Sequence, residues 1–231
     1  MSRRCGLIAA LDTTDPSQAA GWAAAVAPHC GMVKLGLEFF LANGVAGMRV
    51  AGGAAVFLDL KLHDIPNTVA GAVRAVLPLR PRMLTLHAAG GAAMLAAART
   101  AAEAAGEGRP ILLAVTVLTS LDPAALAETG VAGGPRQQVL RLARLAMAAG
   151  ADGLVCSPME ISALRDALGD APVLVVPGIR PAGAAADDQA RTMTPRAAAA
   201  AGADWLVVGR PITRATDPAA AAAAMAAEIA G

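Results

Sequence analysis

The chain has 231 residues, a length that suits one large α/β domain better than two ordinary domains. Its mean hydropathy of +0.53 comes largely from alanine, and apolar and charged residues are interleaved throughout, which excludes a disordered chain. The net charge of +1 and the aromatic fraction of 2% provide neither a basic surface nor a stacking platform for nucleic acid. We therefore expect a small-molecule ligand and no nucleic-acid partner.

Short apolar runs alternate with longer alanine-rich amphipathic stretches from end to end. In chain order, the predicted strands are Gly6 to Leu11, Met32 to Gly36, Ala54 to Leu60, Arg82 to His87, Ile111 to Val117, Gly153 to Cys156, Val173 to Val176 and Trp205 to Val208. Predicted helices lie near residues 16–27, 39–50, 66–77, 91–105, 136–148, 158–168, 189–200 and 217–229. Eight βα units without a linker predict an α/β fold, a single (β/α)8 TIM barrel over residues 1–231. No sequence repeat is evident beyond this alternation.

Membrane and secretion signals are not expected. The longest stretch without Asp, Glu, Lys or Arg, residues 16–33, contains polar residues that would be costly in hydrocarbon. The apolar run near the amino terminus ends at Asp12, too early for a signal peptide. Because Cys5, Cys30 and Cys156 are widely scattered, neither a disulfide framework nor a zinc site is indicated, and a reducing cytoplasm fits best.

Both lysines of the chain lie at predicted strand ends, although the chain has 19 basic residues. Asp12 ends the first strand, Lys34 lies near the end of the second, and Asp59 and Lys61 end the third, with Asp64 at the following helix start. Barrels carry their chemistry at the carboxyl ends of the strands, and alternate residues of a strand share one face, so these charges should converge on the barrel mouth. Surface ion pairs are the alternative interpretation. However, only 16% of the residues are charged, and both lysines and three aspartates lie at the ends of three consecutive strands, which favours a functional cluster.

The charge types in this cluster indicate a reaction. Carboxylates beside Lys61 keep its ammonium charged, which suits a general acid and not a Schiff-base nucleophile. A fixed carboxylate would repel a substrate carboxylate, and loss of CO2 removes that repulsion. The remaining carbanion would lie beside the lysine, which can stabilise and then protonate it. The pattern therefore predicts decarboxylation without a cofactor.

A phosphate site is predicted at the last two strands. Gly178 and Arg180 follow the seventh strand, and Gly209 and Arg210 follow the eighth, where barrels often bind phosphate. The intervening segment 181–195 is long and rich in Gly, Ala and Asp, as expected of a lid or of a plain surface loop.

These motifs resemble a known family. The run Asp59-Leu-Lys-Leu-His-Asp-Ile-Pro-Asn-Thr68, with Asp12 and Lys34 upstream and Thr116–Ser120, Pro177–Arg180 and Val208–Arg210 downstream, closely resembles the bacterial orotidine 5′-phosphate decarboxylases over essentially the whole chain. The DxKxxD core alone is shared by phosphosugar decarboxylases and aldolases, whereas the extension to DLKLHDIPNT is specific. The resemblance implies a homodimeric barrel that converts orotidine monophosphate to uridine monophosphate, the last step of de novo pyrimidine synthesis, without metal or organic cofactor.

The resemblance also implies roles for individual residues. Lys61 would donate the proton to C6, Asp59 would lie near the substrate carboxylate, and Asp64 would reach into the site of the partner subunit. The substrate-binding residues would be Asp12 and Lys34 at the ribose hydroxyls, with Lys34 also ordering the charged array, Thr68 near the ribose across the dimer, Thr119 at the pyrimidine amide, and Arg180, Gln189, Gly209 and Arg210 at the phosphate, with Gln189 in the lid.

Two other functions remain open at this point. A related barrel could use the same DxKxxD pattern with Mg²⁺ on a phosphosugar, which the HDIPNT extension disfavours. A non-catalytic nucleotide-binding barrel would bind ligand without turnover, and an intact Lys61 argues against it.

Overall fold

Eight parallel strands close into a barrel, in which each strand pairs with the next along the chain and the last pairs with the first. The computed structural model describes residues 5–181 and 192–230. The strands are β1 (Gly6–Ala10), β2 (Met32–Gly36), β3 (Val56–Leu62), β4 (Met83–His87), β5 (Ile111–Val115), β6 (Gly153–Val155), β7 (Val173–Val176) and β8 (Trp205–Val208). The predicted (β/α)8 barrel is confirmed, and each strand bound lies within two residues of its prediction.

Helices follow the strands and surround the barrel. They are α1 (Pro16–Val26), α2 (Leu37–Asn43), α3 (Pro66–Val76), α4 (Gly91–Glu103), α5 (Pro123–Glu128), α6 (Pro135–Ala148), α7 (Ile161–Leu168), α8 (Pro195–Ala200), α9 (Arg210–Thr213) and α10 (Pro218–Ala230). Several begin as the sequence indicates: Asp15 accepts hydrogen bonds from two backbone N–H groups of α1, and a proline occupies the first turn. Across the described residues, no helix is both long and apolar enough to cross a membrane.

Three helix predictions differ from the structure, those at 39–50, 158–168 and 189–200. In the second, Pro158–Glu160 form a 3₁₀ helix and α7 begins at Ile161. The predicted helix at 39–50 is instead α2 followed by a 3₁₀ helix, Val45–Ala51, because Gly44 adopts a positive φ of 58° that ends α2. The predicted helix at 189–200 begins only at Pro195, after the capping residue Thr194, and its residues 189–191 lie outside the described residues. The short helices α5 and α9 are absent from the prediction, although Asp122-Pro123 is a recognisable start signal for α5.

The core has two layers, because alternate strand residues point to opposite faces of the barrel wall. The barrel interior holds Ile8, Ala10, Met32, Phe57, Met83, Leu113, Val175 and Val207. The larger outer layer lies between strands and helices and contains residues of the opposite parity, such as Leu58 and Leu84. Phe57 and Leu58, which are neighbours on β3, accordingly lie in different clusters. The side chains of the interior layer fill the barrel, as expected of a packed core.

The opposite end of the barrel contains a repeated motif that the sequence analysis overlooked. The sequence Ala-Ala-Gly-Ala-Asp-x-Leu-Val occurs at 148–155 and again at 200–207, leading into β6 and β8. In each copy the aspartate carboxylate accepts a hydrogen bond from a backbone N–H of the preceding strand. The distances are 2.8 Å from Leu112 N to Asp152 and 2.7 Å from Leu174 N to Asp204.

An arginine from a helix completes each copy of the motif. Arg99 of α4 donates to the carbonyl of Gly150 at 3.1 Å and to Asp152 at 3.0 Å. Arg165 of α7 donates equivalently to the carbonyl of Gly202 and to Asp204. Both glycines have positive φ, which a residue with a Cβ adopts only at a cost. The motif therefore joins helix, loop and neighbouring strand at the end of the barrel where stability, and not chemistry, is expected.

Asp152 should contribute measurably to stability. Burial acts to raise the pKa of Asp152, but hydrogen bonds from Arg109 and Leu112 and the charges of Arg109 and Arg99 outweigh it and hold that pKa below its ordinary value. We expect Asp152→Asn to lower the free energy of unfolding by about 1–3 kcal/mol at neutral pH, because it leaves the two arginines without their carboxylate. Urea unfolding measures this difference.

The difference should also depend on pH. Because the folded-state pKa of Asp152 is depressed, its stabilisation is present above the unfolded-state pKa, near 3.9, and is lost as the pH falls through the folded-state value. The difference in the free energy of unfolding between wild type and Asp152→Asn should therefore become smaller as the pH falls from about 5 to about 3. Asp166→Asn, on the exposed side of α7, is the matched control and should cost under about 0.5 kcal/mol. Equal losses in the two variants would contradict the assignment.

Candidate active site

A cavity of about 230 Å³ opens at the carboxyl ends of the strands. Its lining residues come from seven of the eight strands or from the segments that follow them. They are Ala10, Asp12, Lys34, Phe57, Asp59, Lys61, Val115, Val117, Leu118, Thr119, Val155, Cys156, Pro177, Gly178, Arg180, Val207, Gly209 and Arg210. Eight of the predicted site residues are therefore brought together: Asp12, Lys34, Asp59, Lys61, Thr119, Arg180, Gly209 and Arg210.

Asp59 is the most connected of the charged residues. Its side chain is 12% exposed, and both carboxylate oxygens accept hydrogen bonds from Nζ of Lys61 at 2.9 Å. Nζ of Lys34 lies 3.7 Å from Oδ2, and the hydroxyl of Thr85 donates to Oδ1 at 2.9 Å. The carboxylate is thus buried between two ammonium groups and one hydroxyl.

Lys34 extends the array to the first strand. Its Nζ lies 3.1 Å from Oδ1 of Asp12, whose side chain is 56% exposed and faces the cavity opening. Pairing of Ala10 with Lys34 and of Gly36 with Asp59 places the three strands in register for these contacts. The four groups form a continuous series of alternating sign, Asp12, Lys34, Asp59 and Lys61.

The pKa values of the central pair follow from this alternation. Burial of Asp59 acts to raise its pKa, but the charges of Lys34 and Lys61 and the hydrogen bonds from Lys61 and Thr85 outweigh burial and lower it. Burial of Lys34 acts to lower its pKa, but Asp12 and Asp59 outweigh burial and raise it. Both groups are therefore ionised at neutral pH.

The backbone of β3 departs from a regular strand at Lys61. Lys61 has a φ of +49°, one of two positive values among the described non-glycine residues. The pairing of β3 with β4 shifts between Leu58 and Leu62, so that two more residues are present on β3 than on β4 over this stretch. Strand alternation predicts that Asp59 and Lys61 share a face; the structure joins their side chains, but by this irregular turn of the backbone.

Thr85 lies opposite the irregular stretch and was missed by the sequence analysis. It is fully buried, and its hydroxyl accepts a hydrogen bond from the backbone N–H of Lys61 at 2.9 Å while donating to Asp59. A signal existed in the sequence: Thr85 is a polar residue inside an apolar strand and has the inward parity of Met83. Cys156 was also missed, because a cysteine in an apolar run resembles a core residue. Burial and then Glu160 raise the pKa of its thiol, so it forms part of an apolar wall.

The phosphate end of the predicted site is built on β7 and β8. Gly178 has a φ of +80°, and Arg180 is buried with its backbone N–H bonded to the carbonyl of Met193 at 3.0 Å. Gly209 lies close to Asp12, since a Cβ at Gly209 would be 3.3 Å from Oδ2 of that residue. Gln189 lies outside the described residues, so its predicted role stays a prediction.

Asp64 and Thr68 lie apart from these residues. Both are exposed and neither is among the described residues that line the cavity of their own chain. Oδ1 of Asp64 accepts a hydrogen bond from the N–H of Ile65 at 2.6 Å at the start of α3. Within residues 5–181 and 192–230, no three side chains of His, Cys, Asp or Glu are grouped so as to hold a metal ion.

A closed (β/α)8 barrel with alternating lysine and aspartate in its open mouth is the arrangement of a barrel enzyme. Residues 6–225 match the model of the orotidine 5′-phosphate decarboxylase / HUMPS family, and the chain belongs to this family. It is 58% identical over 234 residues to an orotidine 5′-phosphate decarboxylase of Gluconobacter oxydans, covering 100% of this chain and 99% of the relative. It is 59% identical over 223 residues to that of Thermobifida fusca, covering 95% and 94% of the two chains.

The fold similarity agrees with these matches. The crystal structure of orotidine 5′-phosphate decarboxylase from Lactobacillus acidophilus superposes with a TM-score of 0.88 at 38% identity, covering 98% of this chain and 100% of that one. The predicted family and the predicted enzyme class, a carboxy-lyase, are confirmed.

Proposed function

We propose that the chain converts orotidine 5′-monophosphate to uridine 5′-monophosphate and CO2 without a metal or organic cofactor, with Lys61 as the proton donor. The observation that carries this proposal is Asp59, a carboxylate held ionised between two ammonium groups inside the cavity. The family membership and the names of the relatives supply the substrate. The alternating charges support the proposed roles of Asp59 in repelling the substrate carboxylate and of Lys61 in donating the proton.

Each step of the reaction uses a group in this array. Asp59 lies beside the substrate carboxylate and repels it, so loss of CO2 relieves a repulsion present in the ground state. The C–C bond breaks with its electron pair on C6, beside the ammonium of Lys61. That ammonium stabilises the developing carbanion and then transfers a proton to it, giving a C–H bond and a neutral lysine. Solvent reprotonates the lysine.

The remaining residues of the cavity would bind the rest of the nucleotide. Asp12 and Lys34 lie at the open side of the array, where ribose hydroxyls could bridge them. Thr119 would contact the pyrimidine amide, and Arg180, Gly209 and Arg210, with Gln189, would bind the phosphate. The burial of Arg180 supports this assignment, since a buried guanidinium gains from an anionic ligand.

The same proposal includes a homodimer. Asp64 and Thr68 are exposed beside Ile65, an apolar side chain that is 66% exposed. An exposed apolar residue next to two predicted site residues supports a partner subunit that covers this segment and receives Asp64 and Thr68. We further propose a cytoplasmic location, which the three free cysteines support; burial raises the pKa of Cys5 and of Cys30 to about 12.

The direct test is the loss of orotidine monophosphate absorbance with purified protein in excess EDTA. We expect undiminished turnover, because the aspartates of the array are already neutralised by Lys34 and Lys61 and offer little to a hard cation. Abolition by EDTA with rescue by Mg²⁺ would favour the phosphosugar chemistry of related barrels. Binding without turnover in both conditions would favour a nucleotide-binding barrel.

The second prediction concerns the proton donor. Lys61→Arg should reduce kcat nearly as much as Lys61→Ala, because a guanidinium is a poor proton donor and its planar fork does not fit a site for a compact ammonium. Steady-state kinetics of both variants measure this, and circular dichroism checks that both fold. Near wild-type turnover by the arginine variant would remove Lys61 from proton transfer.

The third prediction tests the shared site. Mixing inactive Lys61→Ala and Asp64→Ala subunits should produce hybrid dimers in which one site pairs an intact Lys61 with an intact Asp64 and the other has neither. With random exchange about half of the dimers are hybrids, so activity should approach roughly a quarter of wild type. Subunit exchange is verified with differently tagged chains. If exchange occurs and activity stays at the sum of the two mutants, each barrel uses its own Asp64.

A further inference from the structure

We propose that Thr85 is a positioning residue that holds Lys61 and Asp59 in their reactive arrangement through one hydroxyl. This inference rests on the proposed function, in which Lys61 transfers the proton. Thr85 is on β4, the strand next to the one that carries both ions. It does not line the cavity among the described residues, so it acts through its neighbours and not on substrate.

The hydroxyl of Thr85 makes two hydrogen bonds at once. Oγ1 of Thr85 accepts the backbone N–H of Lys61 at 2.9 Å and donates its own proton to Oδ1 of Asp59 at 2.9 Å. One atom must therefore be donor and acceptor at once, in a fully buried position. A hydroxyl has this capacity, whereas a methyl group of the same size has neither function.

Lys61 also has an unusual backbone conformation that the contact with Thr85 holds in place. Its φ of +49° costs free energy for a residue with a Cβ and persists only where surrounding contacts hold it. The ladder between β3 and β4 is interrupted at this stretch, so neighbouring backbone groups do not continue the regular pairing there. The bond to Thr85 replaces the missing ladder bond. This contact fixes the backbone from which the Lys61 side chain extends to Asp59.

The hydroxyl of Thr85 also helps to keep Asp59 ionised. The hydrogen bond from Thr85 is one of the interactions that lower the pKa of Asp59, together with Lys34 and Lys61. The other titratable groups nearby are Asp12, which contacts Lys34, and His87 on β4, whose ring stacks on that of His63. Loss of the hydroxyl should therefore both loosen Lys61 and raise the pKa of Asp59.

The test compares Thr85→Val, which keeps the shape and removes both hydrogen bonds, with Thr85→Ser, which keeps the hydroxyl. We expect Thr85→Val to lower kcat about ten- to hundredfold with KM changed less than about threefold, because it displaces the reacting groups and leaves the phosphate contacts intact. Its acid limb in the pH profile of kcat should move to higher pH, since Asp59 needs to be ionised. Thr85→Ser should stay within about threefold of wild type in both parameters.

Thr116→Val is the matched control. Thr116 is also buried, directly after β5, and its hydroxyl donates to the carbonyl of Val155 at 3.3 Å instead of to an ion. We expect its turnover to stay within about twofold of wild type. Equal losses of kcat in Thr85→Val and Thr116→Val would overturn the proposal, as would a folded Thr85→Val enzyme with wild-type kcat and pH profile.

A measurement without substrate separates this inference from the proposed function. Hydrogen exchange of the Lys61 amide should accelerate at least about tenfold in Thr85→Val and not in Thr85→Ser, because that N–H loses its acceptor. If wild-type protein does not turn over orotidine monophosphate, the proposed function fails, while exchange still tests the positioning. An unchanged exchange rate in Thr85→Val would refute the role of Thr85 whatever the substrate.

Discussion

The structure of this site depends on one buried carboxylate. Burying the ionised Asp59 is unfavourable unless it is paired and hydrogen-bonded, and breaking such a pairing leaves an uncompensated charge. Its partners come from three consecutive strands: Lys34 from β2, Lys61 from β3 and Thr85 from β4. The register of these three strands brings the groups together, so the array depends on the pairing of β2, β3 and β4.

The two ends of the barrel differ in character: the amino end contains stabilising charge-assisted hydrogen bonds, and the carboxyl end contains the cavity with the charged array. At the amino ends of β6 and β8, the repeated Asp152 and Asp204 motifs join helices, loops and strands with charge-assisted hydrogen bonds. At the carboxyl ends, Lys61 has an unfavourable φ of +49° beside an interrupted ladder. A conformation of this kind costs about 1–3 kcal/mol and persists because the surrounding structure imposes it. The contacts at this residue are the hydrogen bond from the Lys61 N–H to Thr85 and those from Lys61 Nζ to Asp59.

The sequence was sufficient for the fold and for most of the cavity, because both depend on regular features. Apolar periodicity located all eight strands, and the position of charges after strands such as β1 and β2 located Asp12 and Lys34. Irregular features were missed for the opposite reason. The bend at Lys61 and the role of Thr85 depend on pairing between two strands, which alternation within one strand does not contain. The proposed placement of Asp64 in a partner's site would depend on a second chain, and in a single subunit Asp64 is exposed and does not line the cavity.

Charge balance connects this architecture to the proposed reaction cycle. The formal charges of the array sum to zero over Asp12, Lys34, Asp59 and Lys61. In the proposed reaction, the substrate carboxylate therefore brings an uncompensated negative charge next to Asp59. In the proposed cycle, release of CO2 would move that charge to C6, and the proton from Lys61 would remove it. With Lys61 neutral, Asp59 would have Lys34 as its remaining ammonium partner, and its buried charge would be less well compensated. Because the Lys61 side chain is 31% exposed, solvent can return the proton and restore the pairing. In the proposed cycle, the burial that favours two cations beside Asp59 would also favour return of the proton to Lys61 after each turnover.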